Sequence, residues 1–588
     1  MNFVKIFKNT KFMLKLVIKH TPAYLLWILT YNIIRSLIDV TISVYLVKQV
    51  FNALENALSF SSILSLVGIM ALLQIVNQVL QATISSYIIP IQKLKLHSKL
   101  QSDLFGKAIS MDLECYDDPT FYNDFVLSLN EIDNRANNVI NEFGKLISRI
   151  LSVVTISAIL FTIEPILILC TIVVVVVSSL FQRKINKIGF NRNISMNPTI
   201  RKNDYIVRVF YLRDYAKELR LSNISKTLLN NFEITTKEMN EIVLQYNKKF
   251  VLINIIKMVL TTSVFDMGVM LLFAFRMMVT GTLTLGGYAS GTNAIWQLRG
   301  HLGELIDSYA SFHDNSQYIE RVKKFLNYTP NIVSINSKTL VRNFSKNIEF
   351  KNLCFGYSTE NMILKDINLK INAGEKVAIV GLNGAGKTTL IKLLLRLYDP
   401  VSGNIEIDNI DIKNYDLEYY RKGFGVVFQD YNLYAATLSE NILMDEISDK
   451  TAVKYAIEKS GLSNKNIDSD SNITREFDDN GTVFSGGESQ RVAIARVFAR
   501  PFHTLILDEP SSALDPVAEY NFNKILLEAS GGKTVIFISH RLSTTQIADR
   551  IVMIENGEII ESGTHQELMK KNGKYSVMFN MQAEKYRI

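Results

Sequence analysis

The sequence contains few cysteines, few prolines and comparatively few charges. Of its 588 residues only 3 are Cys and 10 are Pro, which excludes a disulfide-held secreted module and a collagen-like chain. Cys115, Cys170 and Cys354 stand far apart without a CxxC pair, which favours three reduced apolar side chains over a metal or redox site. Charged residues make up 20% and hydrophobic residues 48%, so the chain is not disordered.

Long apolar runs recur in the first 340 residues, each near the ~20 residues that cross a bilayer as a helix. The clearest pair flanks Glu164-Pro165, a two-residue break that predicts a tight hairpin at a membrane face. We predict a membrane domain over 23–325, whose sixth span is rather polar. The six spans lie near 23–47, 62–90, 140–163, 166–187, 250–280 and 283–313.

Basic residues mark one side of these spans. Residues 1–20 carry five lysines and residues 183–203 carry six bases, both without an acid. The connections 48–61, 164–165 and 281–286 hold a single base, Lys48. Because bases collect on the cytoplasmic side, we predict a multi-pass protein of the cytoplasmic membrane with both termini cytoplasmic.

The N-terminal lysines recur at helical spacing with apolar residues between them. This favours an amphipathic surface helix over 1–22 that lies on the anionic leaflet. The alternative is a basic flank that only sets the topology. The lysines are Lys5, Lys8, Lys11, Lys15 and Lys19.

A phosphate-binding loop follows an apolar strand in the second half of the chain. Val377–Val380 leads into a GxxxxGK[ST] pattern and then into a helix over Leu390–Leu397. Glycines let backbone N–H groups surround phosphate oxygens, Lys387 reaches the β and γ phosphates, and Thr388 is a ligand for Mg²⁺. The predicted nucleotide-binding residues are Gly381, Asn383, Gly384, Ala385, Gly386, Lys387, Thr388 and Thr389.

Two acids follow a second apolar strand, Thr504–Leu507. Asp508 at the end of this strand is suited to hold Mg²⁺ through water. Glu509 is suited to orient or deprotonate the water that attacks the γ-phosphorus. We predict Glu509 as a catalytic residue and Asp508 as a metal-site residue.

The segment Phe484-Ser485-Gly486-Gly487-Glu488 resembles the LSGGQ signature of ATP-binding-cassette (ABC) proteins, and six motifs follow the family order across 345–580. The resemblance implies that Tyr357 stacks on adenine, that Gln429 touches Mg²⁺, and that His540 contacts the γ-phosphate. It also implies that Ser512 to Asp515 cross a dimer interface. The signature residues, Ser485, Gly486, Gly487 and Glu488, would bind ATP held by the other subunit.

The order of the two halves is similar to that of ABC exporter half-transporters. This implies an α-helical six-span transmembrane domain, a linker over 326–344 and an α/β P-loop nucleotide-binding domain over 345–580. ATP and Mg²⁺ are the implied cofactors. One cassette implies a dimer with a second copy, while a heterodimer stays open. The net charge of +8 arises largely at the cytoplasmic face, so no nucleic-acid partner is expected. The alternatives to an ATP-driven exporter are an ATP-gated channel or membrane regulator and a soluble ABC ATPase.

Two departures and two loops carry further predictions. Phe484 replaces the usual Leu, and Glu488 replaces the usual Gln and is predicted to pair with Arg491. The long excursions 91–139 and 188–249 resemble those that carry the coupling helices of exporters. We assign these helices to Pro119–Leu127 and Leu212–Leu221.

Polar residues within the spans indicate the cargo class. We predict a wide, hydrated, net acidic pathway for a polar or cationic substrate, with Arg35–Asp39 as a structural pair. The alternative for these residues is hydrogen bonding between helices. The segments Asp118–Asn123 and Pro510–Glu519 resemble those of lantibiotic-type peptide exporters, so a modified peptide is favoured over a drug or lipid. The pathway residues are Gln74, Asn77, Gln78, Gln81, Asp266, Asn293, Gln297, His301, Glu304 and Asp307.

Overall fold

A computed structural model describes residues 3–333, 347–358, 361–445, 449–462, 468–509, 531–539 and 542–584. The chain divides into two compact units. A helical unit comprises residues 1–109 and 123–328, and an α/β unit comprises residues 110–122 and 329–588. The predicted order, a helical unit followed by an α/β unit, is therefore confirmed.

The helical unit consists of long helices joined by short turns. Three of these helices each contain a π-helical turn, at Thr41–Leu46, Ala82–Ile88 and Val259–Ser263, and continue on both sides of it. The helices up to residue 326 are α1 Phe3–His20, α2 Pro22–Glu55, α3 Phe60–Ile109, α4 Glu114–Asp117, α5 Pro119–Ile163, α6 Pro165–Tyr211, α7 Ala216–Leu221, α8 Ile224–Met278 and α9 Leu285–Leu326.

Five helices in the described part of the chain are long and apolar enough to cross a membrane, namely α2, α3, α5, α6 and α8. The predicted hairpin is present, because only Glu164 separates α5 from α6. The predicted sixth span falls on α9, which is not one of the five; its first half is rich in Gly and polar residues, and Arg299, Glu304 and Asp307 follow. The count of six spans stays a prediction.

Helix α1 packs part of its apolar face against protein rather than lipid. Ile6, Met13 and Val17 are buried, and the Asn9 amide donates to both the backbone O and the Oγ of Ser316 on α9, at 3.0 Å each. Protein therefore covers this stripe, whereas Phe3 and Phe7 of the same helix are 67% and 62% exposed. The surface helix stays a prediction. The predicted lysines are all exposed.

Two of the π-helical turns are capped by side chains from α9. A π turn leaves a backbone carbonyl without its usual helical donor. Asn293 Nδ2 donates to Ser43 O at 3.3 Å in the turn Thr41–Leu46. Arg299 Nη1 donates to Thr261 O at 3.2 Å in the turn Val259–Ser263. Helix α9 therefore donates hydrogen bonds to backbone carbonyls on both α2 and α8.

The described part of the α/β unit contains two sheets. Its strands are β1 Ile348–Phe355, β2 Leu364–Ile371, β3 Lys376–Val380, β4 Ser402–Ile407, β5 Ile410–Asp411, β6 Phe424–Val427, β7 Thr504–Asp508, β8 Thr534–Ile538, β9 Arg550–Glu555 and β10 Glu558–Gly563. The antiparallel sheet has the order β2-β1-β4-β5, and the larger sheet has the order β10-β9-β3-β8-β7-β6. Strands β3, β6, β7, β8 and β9 are parallel, and such strands need cover on both faces.

The described helices of this unit after residue 386 are α10 Lys387–Leu394, α11 Leu417–Lys422, α12 Leu438–Leu443, α13 Lys450–Ser460, α14 Gly486–Phe498, α15 His565–Lys571 and α16 Lys574–Glu584.

The segment 110–122 belongs to the α/β unit although it lies between two helices of the helical unit. Leu113 packs against the core of β1, β2 and β4. The buried Asp112 carboxylate accepts from the backbone N–H groups of Asn331 and Ile332 at 2.7 and 3.1 Å. The Tyr398 hydroxyl donates to Asp117.

The two predicted coupling helices have different outcomes. The assignment Pro119–Leu127 is wrong as a short helix, because Pro119 begins the long helix α5 and the short helix is α4, Glu114–Asp117. Proline is favoured at a helix start, which explains the displaced boundary. The second assignment holds a short turn at Arg213–Tyr215 followed by α7, Ala216–Leu221, none of whose side chains is buried.

Candidate functional site: the nucleotide-binding loop and its neighbours

The phosphate-binding loop joins β3 to α10 through three glycines with positive φ. Gly381, Gly384 and Gly386 have φ of 152°, 79° and 99°. A Cβ on Gly381 would lie 2.1 Å from the Ile554 carbonyl O, and one on Gly386 would lie 2.6 Å from Leu364 Cδ2. Only glycine fits here without displacing the backbone. The predicted Asn383 and Ala385 lie in the same loop.

Lys387 starts α10 and bends back over this loop. Its ammonium donates to the carbonyl oxygens of Gly381 and Leu382 at 3.1 and 3.0 Å. Burial lowers the pKa of Lys387, an effect that the charges of Glu509 and Asp508 oppose. The side chain is thus held at the loop where a phosphate would be cradled by backbone N–H groups and the start of α10.

Asp508 meets the loop from β7. Its Oδ1 accepts from Thr388 Oγ1 at 3.2 Å, and the side chain is 1% exposed. Burial raises the pKa of Asp508 to about 6. Strand β8 lies between β3 and β7 in the sheet. The carboxyl ends of parallel strands share one edge, which brings Thr388 and Asp508 together although 120 residues separate them.

Glu509 follows Asp508 with a left-handed backbone, φ 49°. Such a conformation is uncommon for a residue with a Cβ and is typical of functional sites. Gln429, which follows β6, donates from Nε2 to Glu509 Oε2 at 3.0 Å. The structure therefore brings together Lys387, Thr388, Asp508, Glu509 and Gln429.

Tyr357 lies in an aromatic cluster at the other side of the loop. Its ring packs edge-on against Phe355 and Tyr398, with centroids 5.1 and 5.3 Å apart. The Tyr357 hydroxyl lies 3.4 Å from Thr389 Oγ1, and the Lys392 ammonium lies 5.6 Å from the ring centroid. Tyr357 keeps 43% of its surface exposed, so a ring face is accessible to a base.

Comparison with known proteins decides the family. The ABC transporter family matches residues 364–512. The subtilin transport ATP-binding protein SpaT of Bacillus subtilis is 28% identical over 578 residues, which cover 96% of this chain and 92% of the relative. The chain is an ABC transporter. It carries an ATP-binding domain behind a membrane domain and couples ATP hydrolysis to transport, as an exporter half-transporter.

Other similar proteins share the fold or part of the length. The solved structure of a bacterial Atm1-family ABC exporter with ATP bound matches with a TM-score of 0.75 and 22% identity over 96% of this chain and 99% of that chain. An ATP-dependent lipid A-core flippase of Wigglesworthia glossinidia brevipalpis is 40% identical over 242 residues, which cover 40% of this chain and 41% of the relative. The Atm1-family likeness confirms the exporter fold.

The signature segment of the transporter opens helix α14. Ser485 is the N-cap residue, and its Oγ accepts from the Glu488 N–H at 3.4 Å. Glu488 Oε2 accepts in return from the Ser485 N–H at 2.8 Å, which completes a capping box. The predicted Glu488–Arg491 pairing is therefore wrong, because the Glu488 carboxylate bonds its own N-cap residue instead. Arg491 instead donates to the Gly461 carbonyl at 2.6 Å.

Some predicted residues lie outside this cluster. His540 and the segment Ser512 to Asp515 fall outside the described residues. Gly486 and Gly487 lie in the first turn of α14, and Tyr431 donates to the Gly486 carbonyl at 3.0 Å. Among the described residues, no recorded contact joins these signature residues to the phosphate-binding loop of the same chain.

The polar residues of the helical unit are mostly paired. Asp266 forms a two-pronged pair with Arg299, with Oδ1 2.5 Å from Nη1 and Oδ2 3.2 Å from Nη2. Glu304 accepts from Arg149 Nε at 2.9 Å. The predicted net acidic character is therefore wrong for these acids, because each has an arginine partner that the sequence pattern did not reveal.

The other predicted pathway residues divide into two groups. Arg35 and Asp39 form the predicted pair at 3.5 Å, and Asn77 Nδ2 donates to Asp39 Oδ1 at 3.1 Å. Asn293 and Gln297 hold Ser43, the latter through Oγ at 2.6 Å. The Arg35–Asp39 pair lies within α2, whereas the contacts of Asn77, Asn293 and Gln297 are hydrogen bonds between helices, as the alternative expectation proposed. The remaining residues are at least partly exposed: Gln74, Gln78, Gln81, His301 and Asp307.

Sequence reasoning missed Tyr398 and Asp117. Tyr398 contacts Tyr357 and hydrogen-bonds Asp117, so it connects the predicted base-stacking ring to the segment 110–122. Both burial and the neighbouring Asp117 raise the pKa of Tyr398. Only an aromatic residue shortly after α10 hinted at this cluster, and that signal is weak.

Proposed function

We propose that the transporter works as a homodimer that moves a modified peptide outward across the cytoplasmic membrane. The observation that carries the cargo class is the span of the similarity to the subtilin transport protein, 96% of this chain. The lipid flippase relatives match over only 40 to 53% of the chain. A match that includes the membrane domain bears on cargo more directly than one confined to part of the chain.

Hydrolysis is assigned to the cluster at the end of β7. Lys387 neutralises the β and γ phosphates once its ammonium leaves the loop carbonyls. Thr388 and Asp508 fit Mg²⁺ because a hydroxyl and a buried carboxylate already lie 3.2 Å apart. Mg²⁺ would neutralise phosphate charge there. Glu509 orients the attacking water and accepts its proton.

Gln429 links this chemistry to the rest of the α/β unit. Its amide occupies a Glu509 oxygen at 3.0 Å, so the carboxylate is partly engaged before nucleotide arrives. Its neighbours Phe428 and Asp430 line a groove of about 1100 Å³, which Tyr431 and Tyr434 also line. A helix docked in this groove would shift Gln429 and thereby free Glu509.

The proposed dimer supplies both the docked helix and the second half of each ATP site. Tyr211 at the end of α6 and Leu221 at the end of α7 are 70% and 88% exposed and present apolar side chains that such a groove would cover. The N–H groups of Gly486 and Gly487 at the start of α14 offer donors to a phosphate held by the other copy. His540 would contact the γ-phosphate. The base-rich segments support the proposal that both termini and the ATP-binding domain lie on the cytoplasmic side.

The cargo is tested in inside-out vesicles that contain the purified transporter. We expect ATP-dependent uptake of a lanthionine-containing peptide and none with the Glu509→Gln variant. Uptake of a fluorescent lipid or a drug-like dye without uptake of the peptide would support a lipid or multidrug exporter instead. The molar mass of the purified transporter in detergent tests the homodimer. A strict requirement for a second gene product in ATP-dependent uptake would contradict it.

A further inference from the structure

The hairpin formed by α6 and α8 carries a dense basic patch where its apolar section ends. Two hydrogen bonds fix how the helices pair. Lys257 Nζ donates to Gln182 Oε1 at 2.7 Å, and Arg192 Nη1 donates to Asn247 Oδ1 at 3.3 Å. Ten residues separate the contacts on each helix, which corresponds to about 15 Å.

Five exposed cations lie between these two contacts. We define them as the hairpin patch: Arg183, Lys184, Lys187, Lys248 and Lys249. The sequence has no Asp or Glu over 183–203 or 242–265, so neither helix supplies a counter-charge here. Among the described residues, none of the five forms an ion pair. Setting topology requires a few bases, but it does not require five of them within the same section of two paired helices.

The patch lies directly below a membrane-facing surface. Residues 165–182 of α6 and 258–265 of α8 contain no charge, and Gln182 and Lys257 mark where both stretches end. Exposed apolar side chains continue into the patch, with Phe190 65% and Leu252 61% exposed. A ligand for this surface therefore needs an anionic group beside a long apolar part.

We propose that the hairpin patch binds the headgroup of an anionic phospholipid, with the acyl chains against the apolar section of α6 and α8. Lysines near a membrane surface attract anionic headgroups. The apolar collar favours a phospholipid over free phosphate, which would have no contact for Phe190 or Leu252. The site is separate from the nucleotide site and does not depend on the cargo.

The test uses the full-length transporter and phosphatidylglycerol as the probe. The variant replaces Lys184, Lys187 and Lys249 by Gln. The matched control replaces Lys202, Lys226 and Lys237, which are exposed near the far end of the same hairpin, where Thr235 hydrogen-bonds Asn203. Retention of phosphatidylglycerol and of phosphatidylcholine is measured by native mass spectrometry, and ATPase activity is measured in nanodiscs of each lipid.

We expect the wild type and the control variant to retain phosphatidylglycerol over phosphatidylcholine and the patch variant to lose at least about ten-fold in this preference, since each cation contributes about five-fold. Equal loss in both variants would show a general charge effect and overturn the proposal, as would wild-type retention by the patch variant. Full competition by millimolar inorganic phosphate would show a simple anion site and also overturn it. If the patch variant fails to fold, Lys187→Gln and Lys249→Gln are measured singly, and Lys→Arg at both positions is expected to keep the preference.

Discussion

The Gln429 amide donates to the Glu509 carboxylate at 3.0 Å, so the proposed catalytic base is held by the residue that follows β6. Glu509 is also the residue with a left-handed backbone after β7. The hydrogen bond holds the carboxylate directly, and the backbone conformation sets the direction in which the side chain leaves the main chain. Movement of Gln429 therefore changes what Glu509 can reach, which gives the ATP site a physical link to the groove beside Phe428.

Replacing Glu509 by Gln should abolish turnover while ATP still binds. An amide keeps the shape and the contact with Gln429 but cannot accept a proton from water. We expect a loss of at least about 100-fold in kcat, which general base catalysis supports. ATPase assays and binding of a fluorescent ATP analogue measure the two effects separately. Hydrolysis at the parent rate would show that another residue acts as the base.

Replacing Asp508 by Asn should stabilise the nucleotide-free protein at pH 7.5 although it removes activity. Burial raises the pKa of Asp508 to about 6 from an ordinary 3.8, so the native state binds a proton that the unfolded state releases between those values. Stability from this group is therefore present below pH 4 and is lost as the pH rises to above 6, by on the order of 2–3 kcal/mol.

The measurement is the melting temperature without nucleotide from pH 4.5 to 7.5. The wild type should lose stability relative to Asp508→Asn as the pH rises, and at pH 7.5 the variant should melt about 2–4 °C higher. Lys387→Gln is the comparison variant: it keeps the carboxylate but removes a positive charge that lowers the pKa of Asp508, so its loss of stability should extend to higher pH. A constant difference across the pH range would contradict the raised pKa.

Removing the Tyr398–Asp117 hydrogen bond should weaken ATP binding more than turnover. Tyr398 packs against Tyr357, whose proposed role is to stack on adenine, and Asp117 fixes its hydroxyl. We expect Tyr398→Phe and Asp117→Asn each to raise the KM for ATP about three- to ten-fold, which corresponds to the net contribution of about 1 kcal/mol that a typical hydrogen bond makes, with kcat nearly unchanged. The double variant should not be additive.

Tyr357→Ala is the reference for that experiment. It should raise the KM for ATP with little change at saturation. If it leaves the ATP dependence unchanged, the stacking role of Tyr357 is wrong. If only the Tyr398 and Asp117 variants have no effect, the stacking role stands and the hydrogen bond does not position it.

Breaking the Asp266–Arg299 pair should destabilise the helical unit strongly. Both side chains are mostly buried, at 17% and 24% exposed, and the pair is two-pronged. Asp266→Asn leaves the guanidinium without its counter-charge, a change that costs about 3–5 kcal/mol for a buried pair. We expect a lower melting temperature in detergent, and partial recovery in Asp266→Asn with Arg299→Gln. Equal destabilisation by both single variants and the double variant would contradict the pairing as the cause.

The local elements of the nucleotide site were readable from sequence because each is defined by a short stretch of chain. The glycine spacing of Gly381 to Thr389 predicts a turn between a strand and a helix. Thr504–Asp508 predicts a buried strand that ends in an acid. The long apolar runs likewise predicted the spans and the hairpin at Glu164. In each case one chemical requirement, close backbone approach or lipid contact, restricts the residues within a single window.

Tertiary structure decided which of these elements meet. Sequence spacing could not show that Asp266 faces Arg299, that Glu304 faces Arg149, or that Glu488 closes on its own N-cap rather than on Arg491. Nor could it place segment 110–122 with the α/β unit through Leu113 and Asp117. Charges on different helices pair according to helix rotation and packing, which depend on the whole fold. The sequence by itself therefore determined which residues form the nucleotide site and that the first half of the chain is a membrane domain. Packing decided which charged side chains of different helices form ion pairs.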